Sequence, residues 1–148
     1  MNLEQIMKEW QIDAVIDEME LGDASRKSAV LHGKYLMELN IAKMQFKQKE
    51  MGFKQLLKDK QLWYAGKLEK DTIDGYGWEY DPYNGLAKPL KSDMDYWYDA
   101  DPEIQAYQLK IEQFKIKVNT IEEILNMIKW RHTQVKNAID FMKFTSGI

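Results

Sequence analysis

Lys43, Lys47, Lys54 and Lys58 are spaced four, seven and four residues apart, and the pair Trp63-Tyr64 follows closely. On a regular helix these four lysines fall within a sector of roughly 60°. A row of ammonium groups along a rod is the chemistry that tracks a phosphate backbone. An adjacent indole and phenol would offer stacking faces, worth ~1–3 kcal/mol per base. Lys60 and Lys67 add charge to the same stretch, but Lys58 and Lys60 stand roughly 200° apart. Lys60 therefore lies with Lys49 and Lys67 on the apolar side of the rod. Three readings follow for it: the helix bends there, Lys60 reaches the polyanion across a subunit boundary, or it is a seam lysine that sets register and oligomer number. On spacing alone, a lysine face that only solvates the rod, with Trp63 closing the apolar seam, accounts for the pattern equally well.

The charge distribution favours a polyanion. The chain of 148 residues has a net charge of −3, yet residues 26–70 carry 11 Lys/Arg against 4 Asp/Glu. Residues 1–25 carry 1 against 7 and residues 71–103 carry 2 against 9. The remainder, 104–148, is basic again, with 7 against 4. Solubility would be served by mixed signs, so this segregation points to an electrostatic surface with a partner.

Other chemistry finds little support. With no cysteine there is no disulfide framework, thiolate metal site or thiol nucleophile. Two histidines without carboxylates at ligand spacing define no metal site, and no cofactor motif is present. Asp93-Met94-Asp95 and Asp99-Ala100-Asp101 lack the glycine and terminal glutamate of a calcium loop. No nucleophile motif or P-loop occurs, so the chain is expected not to be an enzyme. No apolar run approaches the ~18 residues of a membrane span. The acidic, amphipathic start Met1-Asn2-Leu3-Glu4-Gln5-Ile6 reads as neither signal nor transit peptide.

The elements that must position these residues are helices. Hydrophobic content of 45% suits a folded chain of one domain. Ile104, Tyr107, Ile111, Phe114, Val118, Ile121, Leu125, Ile128, His132, Val135, Ile139 and Met142 step by threes and fours, a coiled-coil-type seam that no isolated helix can bury. Asp101-Pro102-Glu103 starts it with an N-cap, a proline at the first helical position and an acid in the first turn. His132, the polar seam position, is expected to set register or to be a hydrogen-bonded core histidine. An earlier rod runs from about Ala24 to Ala65, with Asp23 as cap, Gly66 as stop, and Gly33 and Gly52 as places for a kink. Each rod would be on the order of 60 Å long. Leu3, Met7 and Trp10, then Val15, Ile16 and Met19, suggest one or two short amphipathic helices before it, with Asp13 as a cap between them. The segment from Thr72 to Asp101 is acidic and rich in aromatics, and Asn84-Gly85 predicts a hairpin or compact loop.

The expected fold is all-α: two long helices in an extended coiled-coil-like hairpin, with short N-terminal helices and an acidic aromatic connector. The divisions of this single domain are residues 1–22, the basic helix 23–66, the connector 67–101 and the C-terminal helix 102–144. Two such rods have little private core, so other copies of the chain are expected to cover the remaining stripes. Ile111, Phe114, Val118, Ile121, Leu125, Ile128, Val135 and Ile139 are the expected oligomerisation residues.

Several motifs together resemble the UvsY recombination mediators of T4-like phages, particularly those of cyanobacterial phages. They are Met1-Asn2-Leu3-Glu4-Gln5-Ile6-Met7-Lys8-Glu9-Trp10, Asp13 to Asp17, the run from Leu57 to Lys67, Gly77-Trp78-Glu79-Tyr80-Asp81-Pro82-Tyr83-Asn84-Gly85, and Leu125 to His132. The resemblance implies a small helical protein that forms a ring-like homo-oligomer of six or seven subunits and binds single-stranded DNA. It further implies partners: a RecA-like phage recombinase, and the phage single-stranded DNA-binding protein that it displaces, in the cytoplasm of the infected bacterial host. The family's basic motif, a lysine followed two residues later by arginine or lysine before an aromatic pair, falls on Lys58 and Lys60. The resemblance assigns the carboxyl-terminal part to oligomerisation. Lys60 replaces the arginine of the best-known member, which removes bidentate phosphate gripping. The expected DNA contacts are thus Lys58, Lys60, Lys54, Lys67, Lys47, Lys43, Trp63 and Tyr64. The rival reading is a coiled-coil structural or adaptor protein without nucleic-acid binding.

Overall fold

The computed structural model describes residues 1–147 and is all-α: no strand occurs among the described residues. The helices are α1 (Leu3–Asp13), α2 (Leu21–Tyr64), α3 (Lys70–Tyr76), α4 (Met94–Ala100) and α5 (Pro102–Ser146), with a 3₁₀ turn, Lys91–Asp93, leading into α4. By their contacts the residues divide into two compact units, Met1–Phe46 with Gln113–Ile148, and Lys47–Glu112. α2 and α5 each supply a segment to both.

In the first unit α1 is fixed at both ends. At its start, Asn2 and Gln5 form a reciprocal capping box, each side-chain oxygen accepting the other's backbone N–H at 2.9 Å. Ile6, Trp10 and the seam of α2 (Leu31, Tyr35, Leu39, Ala42) pack on Val118, Ile121, Ile124, Leu125 and Ile128 of α5. Leu21 and Ala24 meet Val135, Ala138 and Ile139, so the two long helices run antiparallel here. Lys34 pairs with Glu9 and Asp13 at 2.7 Å each, and the Tyr35 hydroxyl donates to Asp13 at 2.9 Å.

Three expectations change in this unit. Of the one or two helices expected before α2, one forms, because residues 14–20 leave the helical path. Arg131, 2% exposed, donates to the carbonyls of Asp13, Ala14 and Val15, the groups that a continuing helix would need for its own ladder. Asp13 ends α1 and pairs with Lys34 instead of capping a second helix, while α2 starts at Leu21 and leaves Asp23 in its first turn beside Arg26. His132 is exposed, its Nδ1 against the Lys129 carbonyl, because the seam steps from Ile128 to Arg131 to Val135. At this step of the seam the buried polar residue is the arginine.

The second unit has its own core: Trp63, Tyr64, Ile73 and Tyr83, with Leu68, Trp78, Met94, Trp97 and Tyr98 packed against them. α2 runs through Gly33 and Gly52 without interruption and stops at Gly66, whose φ of +73° lets Lys67 N–H reach the Leu62 carbonyl at 2.8 Å. Asn84-Gly85 forms a compact turn, with Asp81 accepting from the amides of Tyr83 and Gly85. Asp101 caps α5 as expected, its Oδ1 accepting from Glu103 and Ile104 N–H at 2.9 and 3.1 Å.

Candidate nucleic-acid interface

The exposed lysines lie on the polar sector of α2. Lys47, Lys54 and Lys58 are exposed in the second unit, and none has a carboxylate within ion-pair distance among the described residues. Glu50 is the acid on that sector. Lys67, beyond the Gly66 turn, is exposed as well. Lys43, in the first unit, is exposed and stands 3.9 Å from Glu122. Uncommitted ammonium groups on one face of a helix are free to neutralise phosphates.

Lys60, Trp63 and Tyr64 sit elsewhere, and their expected role as strand contacts needs correcting for this conformation. Lys60 is 3% exposed. Its Nζ lies 3.1 Å from Asp101 and 3.7 Å from Glu103, with the Trp63 and Trp78 ring centroids at 4.5 and 4.0 Å. Two carboxylates and two π faces take the place of water around this ammonium group. The rings of Trp63 and Tyr64 are buried too. Trp63 packs on Trp78, and Tyr64 is surrounded by Tyr83, Trp97 and Tyr98, so no face is left for a base. α2 is unbroken through this stretch, and the roughly 200° between Lys58 and Lys60 sends one outward and the other into the core.

Hydrogen bonds hold this lysine box shut. Trp63 Nε1 donates to the Glu79 carbonyl at 2.8 Å, and Trp78 Nε1 donates to Glu103 at 2.5 Å. The Tyr64 hydroxyl donates to Asp101 Oδ2 at 2.7 Å, and the Tyr83 hydroxyl to the Tyr64 carbonyl at 2.5 Å. Tyr76 stacks on Trp78 with centroids 4.0 Å apart and donates to buried Asp59, a bond that, with burial, pushes its phenol up to about 12. Burial pushes the Asp101 carboxyl up, but the Tyr64 hydroxyl, the Ile104 amide and Lys60 outweigh it and leave the group below the usual carboxylate range. Reading by sequence assigned Asp101 to capping and missed its second oxygen. A lysine on the apolar side of one helix, opposite acids that open an antiparallel one, was the available signal.

The expected oligomerisation residues also turn inward. Val118, Ile121, Leu125, Ile128 and Val135 are buried against their own chain, with Phe114 and Ile139 half-buried in the same unit; Ile111, in the second unit, is half-buried. The apolar side chains that α5 leaves in solvent in the first unit are others, among them Ile116, Met127, Trp130 and Phe141. No group of acids and histidines able to hold a metal ion occurs among the described residues, and no helix there is long and apolar enough to cross a membrane.

Residues 9–148 match the family model described as "Recombination, repair and ssDNA binding protein UvsY". The chain belongs to the UvsY family. Its fold is also that of solved UvsY structures. The crystal structure of the bacteriophage T4 recombination mediator protein UvsY in lattice type II aligns with a TM-score of 0.78 at 21% identity, over 99% of this chain and 98% of that one. Lattice type I of the same protein gives 0.79 at 20% identity, over 95% and 98%. No curated protein sequence matches the chain. The UvsY family is one of recombination, repair and single-stranded DNA binding, and the exposed lysines of α2 are to be read in that light.

Proposed function

We propose that this chain is a recombination mediator: it binds single-stranded DNA and helps a RecA-like phage recombinase replace the single-stranded DNA-binding protein that coats the strand. The observation that carries the reading is the trio Lys47, Lys54 and Lys58, exposed on α2 without carboxylate partners, in a chain whose family is described by single-strand binding. These lysines are the strand contacts, with Lys43 and Lys67 as further cations. The site on one subunit is weak, and several copies in one assembly raise its hold on a strand through effective concentration. Self-association falls to Ile116, Met127, Trp130 and Phe141, which share a sector of roughly 60° on α5. A ring of six or seven copies, acting in the cytoplasm of the infected host, is the arrangement that the resemblance to T4-like mediators suggests. The acidic stretches at 1–25 and 71–103 would keep the strand off the wrong faces.

The test is the salt dependence of binding to labelled oligo-dT. Lys54→Ala/Lys58→Ala should weaken binding and lower the log–log salt slope by about 1.4 per engaged subunit, from about 0.7 per lost phosphate contact. Unchanged affinity and slope would remove the site. Mediation itself is read as recombinase assembly on a strand already coated with single-stranded DNA-binding protein. Equal assembly rates with and without this chain would refute it.

A further inference from the structure

Lys117 is 6% exposed, yet no carboxylate of the described residues pairs with it. Its Nζ donates to Gln45 Oε1 at 3.2 Å and lies 6.0 Å from the Phe114 ring centroid. Buried ammonium groups are ordinarily matched by an anion, because lost hydration must be replaced. Here one amide oxygen stands in, and no acceptor for the other two donors occurs among the described residues.

Lys117 lines an open groove of about 700 Å³ in the first unit, together with Asn2, Gln5, Gln45, Gln113 and Phe114. Three amide side chains of the lining have their oxygens already in use. The capping box commits the side-chain oxygens of Asn2 and Gln5 to each other's backbone N–H, and Lys117 takes the oxygen of Gln45. No hydrogen bond from the NH₂ group of any of the three occurs among the described residues. The positive end of α1, a helix of 11 residues, opens on the same rim. Glu4 is the acid of the lining, and its carboxylate is engaged at 2.9 Å by Lys8. A lining of donors around one uncompensated cation selects an anion.

We propose that this groove is a phosphate site, in which Lys117 and the amides of Asn2, Gln5 and Gln45 hold one phosphate of a single strand. A protein carboxylate, with two oxygens, would satisfy the ammonium but leave most of the amide donors unused, whereas the several oxygens of a phosphate can accept from both. The strand as source of the phosphate rests on the single-strand-binding reading above; the phosphate chemistry does not. Lys117 lies outside the lysine sector of α2, so it adds a contact instead of repeating one.

The experiment compares the full-length chain with Lys117→Met and with Gln113→Glu, using inorganic phosphate, thymidine monophosphate and oligo-dT as probes. Methionine nearly fills the lysine's volume and leaves no buried charge; glutamate at exposed position 113 sets a like charge against the phosphate without touching the core. In the unmodified chain, phosphate and the mononucleotide should raise Tm, and in both variants that rise should vanish. The oligo-dT Kd should increase about tenfold in Lys117→Met, with the salt slope lower by about 0.7. Equal Tm rises and equal slopes in all three proteins would overturn the site. Native masses that change in Lys117→Met while the slope stays constant would overturn it too, assigning the groove to a second copy of the chain. Should Lys117→Met fail to fold, the Gln113→Glu arm decides by the same readouts. A Tm rise with phosphate in a protein that ignores oligo-dT would uphold the phosphate site while refuting the single-strand reading.

Discussion

Replacing Lys60 by methionine should unfold the second unit far more readily than any change on the exposed lysine sector. The substitution removes an ammonium 3.1 Å from Asp101 and between the Trp63 and Trp78 rings, leaving the carboxylate behind. Truncating one member of a buried ion pair costs about 3–5 kcal/mol. Asp101 retains the Tyr64 hydroxyl and the Glu103 and Ile104 amides, which holds the electrostatic loss near the lower bound. Two cation–π contacts are lost, worth ~1–2 kcal/mol together, and a methionine thioether against the same indoles returns up to about 1 kcal/mol. The expected loss is therefore about 3–4 kcal/mol, or a fall in urea midpoint of roughly 1.5–2 M for a slope near 2 kcal/mol/M. Tryptophan fluorescence reads it directly, since Trp63, Trp78 and Trp97 all belong to this unit. Asp101→Asn added to Lys60→Met should cost less than the separate losses combined, because it removes the orphaned charge. Lys58→Ala, at an exposed position, should stay within about 0.5 kcal/mol of the parent. The reasoning is refuted if Lys60→Met keeps the parental midpoint and loses oligo-dT as fully as Lys58→Ala does.

Asp101 and Asp13 both sit below the usual carboxylate range in the folded chain; burial raises each, and hydrogen bonds with Tyr64 and with Lys34 and Tyr35, respectively, more than offset it. The unfolded chain then takes up these protons first, so their stabilisation is present above about pH 4 and is lost as pH falls through the depressed folded values. The urea midpoint should be level from pH 7 to 5 and drop below pH 4, less steeply in Tyr64→Phe. Gly33→Ala meets open space inside α2 and should stabilise by about 1 kcal/mol in thermal unfolding; Gly52→Ala would collide with the Tyr107 hydroxyl and should lose that gain unless Tyr107→Phe accompanies it. Trp130→Ser/Phe141→Ser removes two side chains that are each 67% exposed, so far-UV circular dichroism should be unchanged while native mass spectra shift to smaller assemblies.

Much of the architecture was legible because its causes are local. The three-and-four stepping from Ile104 to Met142, the Asp101-Pro102 start and the Gly66 stop each depend on residues within a turn or two, and α5 and α2 end within a few residues of where those signals put them. The misreadings arose where two elements compete for one group. Residues 14–20 carry an amphipathic pattern, but Arg131, more than a hundred residues away, takes the carbonyls that a helix there would need. A seam stepping through position 131 or 132 is equally regular on paper, and packing against α1 chose the arginine for the core.

The candidate site divides along the same line. The sequence by itself determined that this is an all-helical chain with a cationic sector on its first long rod, because helical periodicity and charge are properties of neighbouring residues. Whether a given lysine faces water or carboxylates depends on what arrives from elsewhere in the chain, and periodicity carries no such record. Packing decided that Lys58 stays in solvent while Lys60 is sealed between two tryptophans and two acids, and that Lys117 is buried with no carboxylate of the described residues within ion-pair distance. Desolvation is set by all the surrounding atoms together, and these come from segments 18 to 72 residues distant.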